Sequence, residues 1–176
     1  IDGATVAEMV RERRLTILLA TPTFLLAYIR RGKREDFVTL RAILTGAEKL
    51  RKKTADVFEE RFGIRPLEGY GATELSPVAA VSVPDVTVDG IRHKGTKDGS
   101  VGHPIPGVAM KVVDPDTGAP VETGKEGLLL VKGPNVMLGY LDNPGKTAEV
   151  LKNGWYVTGD IAIIDRDGFV TLLDRL

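Results

Sequence analysis

Apolar positions follow two different rhythms along the chain. As far as Val83, short unbroken apolar runs alternate with stretches at helical spacing. Residues 15–20, apolar but for Thr16 and without alternation, have the pattern of a strand buried on both faces of a parallel sheet, and 40–44 is another buried-strand candidate. Thr5 with Glu8 three residues on has the form of a capping box and opens a helix toward Arg14. Thr21-Pro22 starts a second helix, with proline at its first turn and Gly32 as its stop. Leu50, Val57, Phe58 and Phe62 share one face of a third, ended by Gly63. Residues 66–70 and 78–83 are further strand candidates. Strand and helix in alternation predict a parallel sheet with covering helices.

Beyond Pro84 the rhythm changes. Turn signals such as Val88-Asp89-Gly90, Lys97-Asp98-Gly99, Asp116-Thr117-Gly118 and Asp167-Gly168 recur at short intervals. Between them lie short strand candidates at 108–113, 127–132 and 169–173, with one helix at 144–152. This is hairpin texture, compatible with a small distorted barrel. The chain therefore reads as α/β: a parallel-sheet α/β subdomain over residues 1–90, then a β-rich, barrel-like subdomain over 91–176. The Gly-, Lys- and Asp-rich string at 90–102 is expected to be a mobile loop.

Composition narrows the classes. Apolar residues make up 43 %, enough for a packed core and too many for a disordered chain. Lys plus Arg and Asp plus Glu both number 24, and the resulting zero net charge argues against a nucleic-acid partner or an acidic-lipid surface. With no cysteine, disulfides, zinc–thiolate sites and a Cys nucleophile are excluded, which fits a reducing, cytoplasmic setting. The longest apolar run, 16–29, is interrupted by Pro22 and too short to span a bilayer. Beginning on Ile1 and ending on Arg175-Leu176, the chain reads as an excised piece.

Candidate chemistry concentrates in three strings. Gly69-Tyr70-Gly71-Ala72-Thr73-Glu74 follows a predicted strand, and ligands bind beyond the C-terminal ends of strands in open α/β sheets. Gly69 and Gly71 admit close backbone approach, Tyr70 offers an aromatic face to a purine, and Thr73 offers a hydroxyl to an anion. Glu74 is a hard oxygen ligand suited to Mg²⁺ beside phosphates. Thr45-Gly46-Ala47-Glu48 ends another buried strand with small residues. Trp155-Tyr156-Val157-Thr158-Gly159-Asp160 precedes a strand in the β-rich part, where Asp160 can accept from two ribose hydroxyls. Arg175 could reach the same sugar or a phosphate.

In this order the strings resemble the adenylate-forming superfamily of acyl-CoA synthetases, luciferases and peptide-synthetase adenylation domains. The resemblance runs over essentially the whole chain and includes Thr21-Pro22-Thr23-Phe24, Gly102-His103-Pro104-Ile105-Pro106-Gly107 and Gly133-Pro134-Asn135-Val136-Met137-Leu138-Gly139-Tyr140. It implies that ATP and AMP are bound, with Tyr70 stacked on adenine and the backbone of Gly46, Ala47 and Glu48 on the other face. It implies Thr73 at the α-phosphate, Glu74 on Mg²⁺, Asp160 on the ribose with Arg175 assisting, and Gly71 beside an acid pocket that a larger residue would close. Ala47-Glu48-Lys49-Leu50 resembles the acyl–acyl-carrier-protein synthetase and acylglycerophosphoethanolamine acyltransferase branch. The implied reaction is activation of a fatty acid as its acyl-adenylate, then transfer to the phosphopantetheine thiol of acyl carrier protein. Coenzyme A as acceptor is the alternative, and a non-enzymatic nucleotide- or acyl-binding module another. Amino-acid adenylation lacks a charged residue for the substrate amine near 69–73. The family's Gly/Ser/Thr-rich phosphate loop and its C-terminal lysine domain have no match here, so the piece alone is expected to be inactive. In the acyltransferase branch the intact protein would sit at the inner membrane face through parts this chain does not contain.

Other features read more plainly. Gly145-Lys146-Thr147 lacks the spacing of a phosphate loop and Asn143-Pro144 reads as a helix start. Asp114-Pro115-Asp116-Thr117-Gly118 and Asp165-Arg166-Asp167-Gly168 lack the ligand spacing of calcium loops and read as hairpin turns. His93 and His103 have no partner at metal-ligand spacing. The basic cluster at 30–34 reads as a solvated helix end, with carrier-protein docking as the alternative. Trp155 is expected to pack in the core.

Overall fold

A computed structural model describes residues 2–176; Ile1, where the first predicted subdomain begins, lies outside them. The chain forms two compact units, residues 1–69 and 70–176. The division falls before the change of sequence texture at 90–91, because Tyr70, Leu75, Ala79 and Ala80 pack into the second unit's core.

The first unit is α/β. Helix α1 (Gly3–Glu12) is capped by Asp2, whose carboxylate accepts from the Thr5 amide at 3.2 Å. Thr5 is thus the recipient of the cap, and the helix opens three residues earlier than the Thr5–Glu8 pattern predicts. Strand β1 (Ile17–Ala20) leads to α2 (Pro22–Arg31), capped by Thr21 and stopped at Gly32 as expected. After a short 3₁₀ turn (Arg34–Asp36) come β2 (Ala42–Thr45), α3 (Lys52–Phe62) and β3 (Leu67–Tyr70). The β1–β2 and β2–β3 pairs are parallel, with Ala20 opposite Thr45 and Thr45 opposite Glu68. The core centres on Phe37, Phe58 and Phe62, with Phe37 and Phe62 centroids 4.6 Å apart in edge geometry. Asp36, buried beneath it, accepts from Arg11 at 3.1 Å and from the Lys33 amide at 2.8 Å, so the buried charge is paired. Strand β1 departs from the sequence expectation: Ile17 and Leu19 are exposed, and only one face of that strand is covered.

The second unit is β-rich. Strand β4 (Ala80–Val81) pairs antiparallel with β7 (His103–Pro104), and β5 (Val86–Val88) with β6 (Ile91–His93) form a separate hairpin. Strands β8 (Ala109–Val113), β9 (Glu126–Lys132), β10 (Leu151–Lys152) and β11 (Trp155–Ile164) form an antiparallel sheet in the order β10-β11-β9-β8, and β12 (Val170–Arg175) also pairs with β11. Helix α4 (Pro144–Val150) precedes β10, and Asn143 caps it at the Lys146 amide, which disposes of the phosphate-loop reading. Leu129, Val131, Ala162 and Val170 form the centre of this core.

Two details correct the sequence reading, at 90–102 and at Trp155, and His103 joins no metal-ligating group among the described residues, as read. The string at 90–102 is tied down: Asp85 accepts from the amides of Gly95 and Thr96 and from Arg92, and Ser100 and Val101 are buried. Trp155 lies at the rim of the sheet, with the ammonium of Lys111 4.3 Å from its ring centroid. His103 packs on Phe169 at 4.0 Å and its Nε2 lies 3.0 Å from the Asp167 carbonyl oxygen, a structural role. The aspartate strings are turns as read: Asp114 accepts from the amides of Asp116 and Thr117, and Asp165 from those of Asp167 and Phe169.

Candidate functional site

In the first unit the candidate residues sit just past β2. Ala47 has φ +68°, a left-handed conformation uncommon for a residue with a Cβ and one that concentrates at functional loops. The Glu48 carboxylate accepts from Thr23 Oγ1 at 2.8 Å, joining two sequence motifs, and Gly46 lies beside the Gly69 carbonyl oxygen. Ala47 and Glu48 are exposed. Glu68 was not singled out by sequence. Its half-buried carboxylate accepts from the Leu50 amide at 3.1 Å and so closes the loop after Glu48, and burial pushes its pKa up.

In the second unit Tyr70 and Asp160, ninety residues apart, meet. The Tyr70 hydroxyl donates to Asp160 Oδ2 at 2.6 Å. Burial, then the Asp160 carboxylate, pushes the Tyr70 hydroxyl pKa up, so it remains a donor at neutral pH. Asp160 lies inside β11, where the sequence reading had it before a strand. The β11–β9 register shifts between Val157 and Ile161, and Gly159 has φ +77°. This is a bulge with glycine in the left-handed region, a device that re-aims a side chain beside a functional site. Buried Thr158 fixes it, donating to the Leu129 carbonyl at 2.9 Å and accepting from the Asp160 amide at 3.0 Å. Arg175 stands opposite Asp160 on β12, its Nε 3.9 Å from Asp160 Oδ1, and it is largely exposed.

Gly71 and Ala72 lead into a 3₁₀ turn (Thr73–Leu75). A Cβ on Gly71 would lie 1.8 Å from the Pro77 carbonyl oxygen. The missing side chain thus lets the 71–78 segment fold back on itself. Thr73 is exposed and Glu74 half-buried. Glu74 Oε1 accepts from the Tyr140 hydroxyl at 2.7 Å. Tyr156, buried next to this group, has its hydroxyl pKa pushed up to about 12 by burial and then by the Glu74 carboxylate. Tyr140 and Asn135 escaped the residue-level reading because their partners lie far off in sequence. Gly133 to Tyr140 had entered only as part of a motif.

Among the described residues no three His, Asp or Glu side chains converge on a metal position. Glu74 offers a single carboxylate, which fits Mg²⁺: that ion keeps several waters and binds through one or two carboxylates plus substrate phosphates. No helix among the described residues is long and apolar enough to cross a membrane.

The family model described as AMP-binding enzyme matches residues 1–141. A long-chain-fatty-acid–CoA ligase of Yersinia pestis is 44 % identical over 140 residues, covering 80 % of this chain and 23 % of that protein. A feruloyl-CoA synthase of an Amycolatopsis species is 35 % identical over 177 residues, covering 99 % of this chain and 34 % of that protein. The ATP-bound crystal structure of MatB from Rhodopseudomonas palustris superposes with a TM-score of 0.83 at 32 % identity, over 99 % of this chain and 33 % of that one. The chain thus spans between about a quarter and a third of the length of these relatives. With its motifs, its two units and this match in agreement, the chain belongs to the AMP-binding enzyme family of adenylate-forming enzymes.

Proposed function

We propose that this chain carries the AMP-holding residues of an acid–CoA ligase, which activates a fatty acid as its acyl-adenylate and passes the acyl group to coenzyme A. The observation that carries the reading is the Tyr70–Asp160 hydrogen bond on a glycine bulge, which couples the proposed adenine-stacking ring to the proposed ribose-binding carboxylate. In this reading Asp160 accepts from the ribose hydroxyls, with Arg175 opposite it contributing charge. Thr73, exposed on its 3₁₀ turn, donates its hydroxyl to the α-phosphate. Gly46, Ala47 and Glu48 keep their proposed adenine contact, made through backbone. Gly69, Gly71 and Ala72 supply close backbone approach. When bound through Glu74, Mg²⁺ supplies neutralisation of phosphate charge. The protein's part in such chemistry is placement and electrostatic stabilisation.

The resemblance of Ala47-Glu48-Lys49-Leu50 alone implies acyl carrier protein as acceptor. The relatives named above are described as CoA ligases or synthases, which favours coenzyme A. The fatty-acid substrate likewise rests on the 44 % identical relative, with an aryl acid as the competing class from the feruloyl-CoA synthase. The test is AMP release by the full-length protein with palmitate or ferulate, supplied with either coenzyme A or holo-acyl carrier protein. Turnover confined to palmitate and coenzyme A supports the reading; turnover confined to the carrier protein overturns the acceptor, and turnover confined to ferulate overturns the acid.

A further inference from the structure

The segment from Gly133 to Tyr140 lies between β9 and α4 and belongs to no strand or helix. Four of its polar contacts run to one short stretch, 74–78. Asn135 Nδ2 donates to the carbonyls of Leu75 at 3.0 Å and Val78 at 2.9 Å. Both partners are acceptors only, which fixes the orientation of the amide. The Met137 amide donates to the Glu74 carbonyl at 2.9 Å. The Tyr140 hydroxyl donates to the Glu74 side chain at 2.7 Å. Tyr140 is itself anchored, its amide donating to Thr147 Oγ1 at 2.9 Å while that hydroxyl donates to the Asn143 carbonyl at 2.9 Å. Leu138 and Leu141, in the same stretch, are 101 % and 90 % exposed. Burial of those two leucines therefore does not set the path of the segment, whereas its bonds to 74–78 do.

We propose that Tyr140 is the positioning residue for Glu74, holding one carboxylate oxygen so that the second is left for the divalent cation that accompanies ATP. This rests on the AMP-forming reading above. A glutamate side chain has three rotatable bonds, and a single ligating carboxylate must be held in one of many rotamers to bind a cation well. The backbone bond from Met137 fixes where Glu74 starts, and the Tyr140 hydroxyl fixes where it ends. Partners of this kind, which orient a ligating group, change metal affinity about 10- to 100-fold when removed. Tyr140 is only half-buried, which places its effect near the lower end, about tenfold.

The test is ATP binding by the full-length protein, measured calorimetrically across a MgCl₂ series, with melting curves alongside. Tyr140→Phe keeps the ring and removes only the donor. The expected result is a Mg²⁺ midpoint raised about tenfold, with ATP affinity in EDTA and the melting temperature close to wild type. An unchanged midpoint overturns the proposal. So does an equal loss of ATP affinity with and without Mg²⁺, which is the mark of a general structural role. Wild-type protein whose ATP binding ignores Mg²⁺ would instead overturn the AMP-forming reading itself.

Discussion

The Tyr70 hydroxyl donates to Asp160 Oδ2 at 2.6 Å, between the end of β3 and the bulge of the ten-residue strand β11. Tyr70 is 9 % exposed, so the bond joins a largely buried donor to a carboxylate that water still reaches. Removing it with Tyr70→Phe keeps the aromatic face and frees the carboxylate. A hydrogen bond to a charged group is worth about 1.5–3 kcal/mol, discounted here for the partial exposure of Asp160. The variant should melt a few degrees lower and bind AMP about three- to tenfold more weakly, equivalent to about 0.7–1.4 kcal/mol after that discount. AMP titration of the full-length variant checks this, and wild-type affinity would show that Asp160 needs no such support.

Gly71 and Gly145 should respond oppositely to alanine. At Gly71 the new Cβ would meet the Pro77 carbonyl oxygen at 1.8 Å, so the 71–78 turn must move. Overpacking of this kind costs about 1–3 kcal/mol, and a backbone collision belongs at the upper end. At Gly145, in helix α4, the nearest atom is 3.9 Å away, and alanine should stabilise by up to about 1 kcal/mol. Denaturant unfolding of the two variants measures both. A harmless Gly71→Ala would mean the turn is not held as the structure has it.

Asn135 should matter for stability beyond its size. Asn135→Ala leaves the Leu75 and Val78 carbonyls without their side-chain donor, at a cost of about 1–3 kcal/mol. Asn135→Asp should cost more, since it places a carboxylate against two carbonyl oxygens. Chemical denaturation ranks the two, and equal stability of both variants with wild type would remove the brace from the account.

Asp85 predicts a pH response in the β5–β6 region. The Gly95 amide, with Arg92 and Thr96, holds the Asp85 carboxyl at about 2, below its ordinary value. Its folded pKa is therefore below the unfolded one. The stabilisation is fully present above about pH 4 and is lost as pH falls through about 2. The amide resonances of Gly95 and Thr96 should shift in that window, and in Asp85→Asn the window should vanish. A transition near neutral pH in either protein would point to a different group.

The fold was legible where local chemistry decides it. Thr21-Pro22 and Gly32 bound α2, and Gly63 with φ +77° ends α3, because caps and left-handed turns depend on adjacent residues. Asp2 displaced Thr5 as the first cap because a carboxylate three residues upstream of an amide can accept from it whether or not a Glu follows. Asp160 reads from sequence as lying before a strand, yet the antiparallel ladder continues past a single bulged glycine, Gly159. The string at 90–102 looked loose in composition, and the acceptor that ties it, Asp85, precedes it by ten residues at Gly95. Of the candidate site, each string could be read, and so could its place beyond a strand end. The pairings Tyr70–Asp160 and Tyr140–Glu74 could not, since sequence spacing carries no information on contacts made across ninety and sixty-six residues.

The central claim is that these residues serve acid-dependent adenylation. Its most direct test is ATP–pyrophosphate exchange by the full-length protein, across acids from acetate to palmitate and including ferulate. The account predicts exchange that rises with fatty-acid chain length and falls strongly in Asp160→Ala and Glu74→Ala, by far more than the few degrees of melting temperature that the lost hydrogen bonds from Tyr70 and Tyr140 explain. A folded wild-type protein that shows no exchange with any acid in the presence of Mg²⁺ would contradict it.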